Sequence, residues 1–169
     1  MMETEMIRRE LKEKLADAER ILIAIGSEWK RGDEEREACI AAASENLKRE
    51  LQGKDYYIIS TLETEDAKRL GFDPMRMVIP FDEDLTEDQW NAYANWLART
   101  LNRKLVILEL GEGFMQPTIV RWPFEKTTAI NHKAHMYRVH KTFYQISDEI
   151  KEKATAVKGD SAGFFAEWK

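Results

Sequence analysis

Only one cysteine, Cys39, stands in the 169 residues. Its solitude excludes a disulfide within the chain and any zinc site built on a cysteine quartet. Histidine is nearly as scarce: there are three, and none comes before His132. Long apolar runs are missing too. Stretches such as Ile21-Leu22-Ile23-Ala24-Ile25 fall far short of the ~18 residues that a membrane span requires. The opening MMETEMIRRELKEK is charged and lacks the apolar core of a secretion signal, so a cytoplasmic protein is expected, with no membrane association. Positive charge is not gathered on any segment. The 26 Lys and Arg are interleaved with 31 Asp and Glu for a net charge of −5, which leaves nucleic acid no basic face to hold. Internal repeats and low-complexity linkers are absent as well. With 43% hydrophobic and 34% charged residues, the composition fits one globular domain over residues 1–169.

What is present alternates. Met6, Ile7, Leu11, Leu15 and Ala18 recur at helical spacing and predict a helix over 3–19. RILIAI (20–25) is a continuous apolar run that predicts a strand buried on both faces. An Ala- and Glu-rich helix follows over 33–52, stopped by Gly53, and then a strand at 56–61. EDAKRLGF predicts a short helix closed by Gly71, and Met77-Val78-Ile79 a brief strand before Pro80. Thr86 and Gln89 form a capping box for a helix striped by Trp90, Tyr93, Ala94 and Leu97. KLVILEL (104–110) is the most apolar strand, and Pro123 marks a helix start. A strand at 134–140, a short helix at 147–153, a strand at 154–159 and a closing helix complete the pattern. Strand and helix in strict alternation predict an α/β fold of three layers. Its sheet would be parallel and Rossmann-like, with six strands in the order 3-2-1-4-5-6 and right-handed crossovers.

One block is more specific. Leu108-Glu109-Leu110-Gly111-x-Gly113, then Pro117, then Ile119-x-Arg121-x-Pro123-Phe124 resembles the strand-four region of sirtuins, closest to the microbial branch often linked to macrodomains. ADAERILIAIGS resembles the first sirtuin strand and its glycine turn. KDYYIISTLETEDAKRLGFDPMRM resembles the second, and AHMYRVH onward through GDSAGFFAEW the last two strands and final helix. The departures weigh as much. The family's zinc module, cofactor loop and helical subdomain have no counterpart here. Ile79-Pro80-Phe81-Asp82-Glu83 stands where the family carries its catalytic histidine, and Thr61-Leu62-Glu63-Thr64 where it carries Thr-Asn-x-Asp. The resemblance therefore implies a degenerate, truncated core with no catalytic residue and no zinc: a pseudoenzyme.

The same resemblance assigns a binding site for NAD, ADP-ribose or another adenine nucleotide to Gly26, Ser27, Gly111, Glu112, Gly113, His140, Asp160 and Ser161. Of the family's glycine turn only Gly26 remains, and Glu28 brings negative charge to the place of a phosphate. Gly111 and Gly113 either admit a ligand to the end of the fourth strand or simply make the turn after it.

Other residues fit plainer roles. His132, His135 and His140 suit surface or capping positions better than a metal site, because parity sets 135 and 140 on opposite faces of a strand. Cys39 reads as a small apolar residue of a helix. Asp82, Glu83, Asp84, Glu87 and Asp88 read as charges at a helix start. Trp90 and Trp96, with Trp122 and Phe124, offer more aromatic area than a small domain needs to expose. A homodimer or a protein partner at the Trp90/Trp96 region is expected. Three functions follow: a non-catalytic sensor or scaffold that binds an adenine nucleotide, a residual NAD-using enzyme (ADP-ribosyltransferase or NAD hydrolase) relying on Glu112 or Glu109, and a purely structural oligomer.

Overall fold

The computed structural model describes residues 2–169. Six parallel strands form one sheet in the order β3-β2-β1-β4-β5-β6. They are β1 (Arg20–Ile25), β2 (Tyr56–Ser60), β3 (Met77–Val78), β4 (Leu105–Leu110), β5 (Ala134–His140) and β6 (Ala154–Lys158). The helices are α1 (Met2–Asp17), α2 (Glu34–Leu51), α3 (Thr64–Arg69), α4 (Glu87–Ala98), α5 (Arg121–Ile130) and α6 (Ser161–Ala166). The fold is thus the α/β, Rossmann-like one with the expected strand order. Among the described residues no helix is long and apolar enough to cross a membrane.

β1 and β4 are sandwiched on both faces, which is why they read as unbroken apolar runs. Ile21, Ile23 and Ile25 join one core with Leu11 and Leu15 of α1, Leu47 of α2 and Phe165 of α6. Leu22 and Ala24 join the other, with Tyr93 and Trp96 of α4 and Phe124 of α5. Local signals set the element ends. Asp33 caps α2 by accepting from the Arg36 N–H, and the Thr86–Gln89 capping box opens α4 with both of its reciprocal bonds.

Several boundaries differ from expectation. Helix α5 starts at Arg121, so Pro123 is its third residue, where its missing N–H still costs no intrahelical bond. The segment before β6 is a 3-10 helix, Asp148–Lys153. The larger correction concerns aromatics. Trp96 and Phe124 do not belong to a surface patch: they are 6% and 1% exposed. The Trp96 indole N–H donates to Asp55 at 2.8 Å, and its ring lies 5.6 Å from that of Tyr57. A polar partner at the rim of the sheet lets a tryptophan be buried there.

Strand register sets up the functional edge. Ile25 stands beside Ser60 of β2 on one side and Leu110 of β4 on the other. The chain turns one way from β1 toward β3 and the other way from β4 toward β6. The loops leaving β1 and β4 therefore diverge at a topological switch point, the usual place for a ligand cleft in such sheets.

Candidate functional site at the switch point

The two loops are locked together. Gly26 has its backbone so close to the next strand that an added Cβ would lie 2.5 Å from the Gly111 carbonyl and 2.8 Å from the Glu112 carboxyl carbon. Gly111 adopts a positive φ of 73°, and a Cβ there would lie 2.7 Å from that of Glu28. Both glycines are required, but the space that each leaves is filled by protein.

Glu112 and the Gly111 carbonyl fill the space beside Gly26, and Glu28 with Ser161 that beside Gly111. Glu28 lies on the one-turn 3-10 helix Ser27–Trp29 that follows β1. Its carboxylate accepts from the Ser161 N–H at 2.8 Å, from the Ser161 hydroxyl at 2.7 Å and from the Lys141 N–H at 2.8 Å. The Trp29 indole N–H also donates to the Ser161 hydroxyl, at 3.0 Å. Arg36 ties the arrangement from outside, pairing with Asp160 and donating to the Glu28 carbonyl. Burial works against the Asp160 charge, but Arg36 holds its carboxyl below the ordinary value of 3.8. Asp160 in turn caps α6 through the Ala162 N–H.

His140 ends β5 beside this cluster. Its Nδ1 accepts from the N–H groups of Thr142 and Phe143, each at 2.9 Å, so the ring is neutral and carries its proton on Nε2. Burial holds its pKa below the ordinary 6.5, although Glu28 Oε2 stands 3.7 Å away. His140 is therefore a capping residue inside the structure. His135 pairs with Thr155, and His132 is exposed.

On the other side of Gly26 a cavity of about 240 Å³ opens at the carboxyl ends of β1, β2, β3 and β4. Ser27, Lys30, Thr61, Gln116 and the acids Glu63, Asp66 and Glu112 supply its polar wall, and Leu62, Phe81 and Met115 its apolar one, with Gly113 between them. Glu112 is the chemically notable member. It is 6% exposed, and both carboxyl oxygens face the Thr61 hydroxyl, at 2.9 and 3.0 Å. It forms no ion pair with another described residue; Arg121 reaches only its backbone carbonyl, at 3.2 Å. Burial pushes the carboxyl up from 4.5 to about 8, against the Thr61 hydrogen bond and with help from the negative charge of Glu109. At neutral pH Glu112 is mostly a carboxylic acid, able to donate as well as accept.

A buried polar frame supports the loops. Glu109 of β4 receives two bonds from the Arg138 guanidinium of β5, at 2.5 and 3.0 Å. Arg138 also donates to Glu125 of α5 and to the Gln145 carbonyl, each at 2.8 Å. Arg121 donates to the Phe143 carbonyl at 2.9 Å and lies over the Phe114 ring. Glu109 is thus fully committed to structure.

The eight residues assigned from sequence do converge on this edge, in two groups. Gly111, His140 and Ser161 adjoin the Glu28 side chain, with Asp160 joined to Glu28 through Arg36; Gly26 packs against the Glu112 carboxyl, and Ser27, Glu112 and Gly113 line the cavity. Glu28 itself and Thr61, the hydroxyl partner of Glu112, complete the site. Neither role has a local signal: Glu28 and Ser161 are 133 positions apart, and Thr61 and Glu112 are 51 apart. Among the described residues, no group of three or more His, Cys, Asp or Glu side chains is arranged to hold a metal ion. Comparison with protein-family models and with curated proteins finds no match to this chain.

Proposed function

We propose that the protein is a non-catalytic, sirtuin-like Rossmann module that senses a small ligand in the cavity walled by Glu112. The observation that carries this reading is a buried carboxyl, without a cationic partner, facing an open cavity at the switch point of the sheet. Natural binding sites concentrate a few such polar groups in an otherwise apolar wall. A protonated Glu112 would donate to an acceptor on the ligand, with Thr61 holding it in place, while Phe81 and Met115 cover the ligand's apolar part.

The resemblance stated from sequence makes NAD and ADP-ribose the first ligands to test. The cavity is smaller than the ~300–1,000 Å³ typical of drug-sized ligands, so it accepts one end of such a molecule. A pyrophosphate would have to displace Glu28 from Ser161 and Lys141. Titration calorimetry with NAD, ADP-ribose and ATP, on the wild type and on Glu112→Ala, tests the proposal. Binding that weakens at least tenfold in the variant supports it. Affinities unchanged by the variant remove Glu112 from the site, and no heat from any of the three ends the adenine-nucleotide assignment.

A second reading draws on the same carboxyl. An acid that titrates near neutrality suits general acid–base work, as in a residual NAD hydrolase or ADP-ribosyltransferase. Release of nicotinamide from NAD by the wild type, and its loss in Glu112→Gln, would favour that reading over simple binding.

A further inference from the structure

The cavity beside Glu112 is lined by charged groups of both signs, yet they cancel. Its one lining cation is Lys30, and its acids are Glu63, Asp66 and Glu112. Lys30 and Glu63 are both exposed, one positive and one negative. Asp66 is 4% exposed, and the Arg31 guanidinium answers its charge from 3.1 Å. Glu112 keeps its proton at neutral pH, because it is buried with only the Thr61 hydroxyl as partner. The wall thus has no spare charge of either sign. A charged group brought into such a place loses its water and gains no counter-ion, which is costly.

The loops around the cavity offer no substitute. A phosphate at a switch point is ordinarily received by backbone N–H groups of the turn after the first strand. Here the N–H of Gly26 donates to the Leu110 carbonyl at 2.9 Å, that of Trp29 to the Gly26 carbonyl at 2.9 Å and that of Lys30 to the Ser27 carbonyl at 3.1 Å. The Gly111 N–H donates to the Val139 carbonyl at 2.9 Å. Those of Lys141 and Ser161 are held by the Glu28 carboxylate, as is the Ser161 hydroxyl. An anion would find these donors spent and an acid of the protein standing among them.

We propose that the cavity takes an uncharged ligand with polar edges, and that among adenine compounds it selects the nucleoside or the free base over any phosphorylated form. The proposal rests on the reading of the Glu112 cavity as the ligand site. Phe81 and Met115 supply apolar surface for a flat, uncharged ring, and Thr61, Gln116 and the Glu112 carboxyl supply hydrogen bonds for its edge. A dinucleotide, by contrast, brings two negative phosphates to loops whose donors are taken.

Adenosine and AMP differ only by a phosphate, so calorimetric titration with both tests this. Adenosine is expected to bind the wild type, and to bind Glu112→Ala more weakly. AMP should bind the wild type about tenfold or more weakly than adenosine does. Glu63→Lys adds positive charge at an exposed position whose carboxylate caps no N–H, and should narrow that gap. AMP binding as tightly as adenosine overturns the charge selection while leaving the ligand site in place. A gap that Glu63→Lys does not narrow, or binding of NAD and ADP-ribose without binding of adenosine, overturns it too. Adenosine affinity unchanged in Glu112→Ala, or no heat from any of these compounds, removes the ligand site itself, and the selection with it.

Discussion

Glu28 and Ser161 lie 133 positions apart in sequence, yet the carboxylate of one accepts both the backbone N–H and the hydroxyl of the other. The protein's own acid thus sits at the switch point, where an anionic ligand group would otherwise be received. Glu28→Ala leaves the Ser161 N–H without its partner beside a buried hydroxyl. Such a loss costs ~1–3 kcal/mol, to be seen as a lower midpoint in urea denaturation at an unchanged slope.

Glu112 makes stability fall as pH rises. In the unfolded chain its carboxyl ionises near the ordinary 4.5, whereas the folded protein keeps the proton until about 8. Between those values the folded state binds more protons, so its advantage is complete in acid, shrinks across the window and levels off above it. At ~1.4 kcal/mol per pH unit the change is on the order of a few kcal/mol. Denaturation at a series of pH values should show this slope in the wild type and a flatter profile in Glu112→Gln.

His140 acts in the opposite direction. Its folded pKa is below 6.5, because burial and two N–H donors on Nδ1 oppose a second proton. The unfolded chain therefore takes up the proton first as pH falls, and stability contributed by His140 is lost progressively below the unfolded value. Imidazole signals followed by NMR should show His140 titrating below the ordinary 6.5.

The Glu109–Arg138 pair should be non-additive. Replacing Arg138 by Met leaves the buried Glu109 carboxylate only the more distant Arg121 guanidinium, 3.6 Å away, and is expected to cost ~3–5 kcal/mol. Adding Glu109→Leu should recover part of that loss, since the poorly paired carboxylate is then gone. A double-mutant cycle by chemical denaturation measures the difference.

Gly26→Ala probes the closeness of the β1 and β4 loops. Its Cβ would meet the Gly111 carbonyl at 2.5 Å, and backbone cannot swing aside as a side chain can. Overpacking of this kind costs ~1–3 kcal/mol and should lower the melting temperature.

The strands were readable from the chain because burial on both faces leaves unbroken apolar runs, of which RILIAI and LVILEL are the clearest. Their order followed from strict alternation with helices. Ends were less readable: β3 keeps only Met77 and Val78, where the apolar run had extended to Ile79. Gly26, Gly111 and Glu112 stand out by residue type, and the fold brings them together where the β1 and β4 loops meet. The sequence puts the Glu28 charge at that place, but its bonds to Ser161, 133 positions away, leave no local signal. Trp96 misled for a related reason: its apparent excess at the surface disappears once Asp55, 41 positions away, accepts its N–H.

The contact between Trp29 and Ser161 also has a temporal side. These residues are 132 positions apart, and ribosomes extend chains at ~5–20 residues per second, so on the order of ten seconds separate their synthesis. Throughout that interval the β1 loop has neither the serine that Trp29 and Glu28 hold nor the Phe164 and Phe165 that close one core. The nascent chain thus passes through a stage in which the switch point is uncovered and the part of α2 that packs on α6 is bare, so that a chaperone would meet a different surface from that of the finished protein.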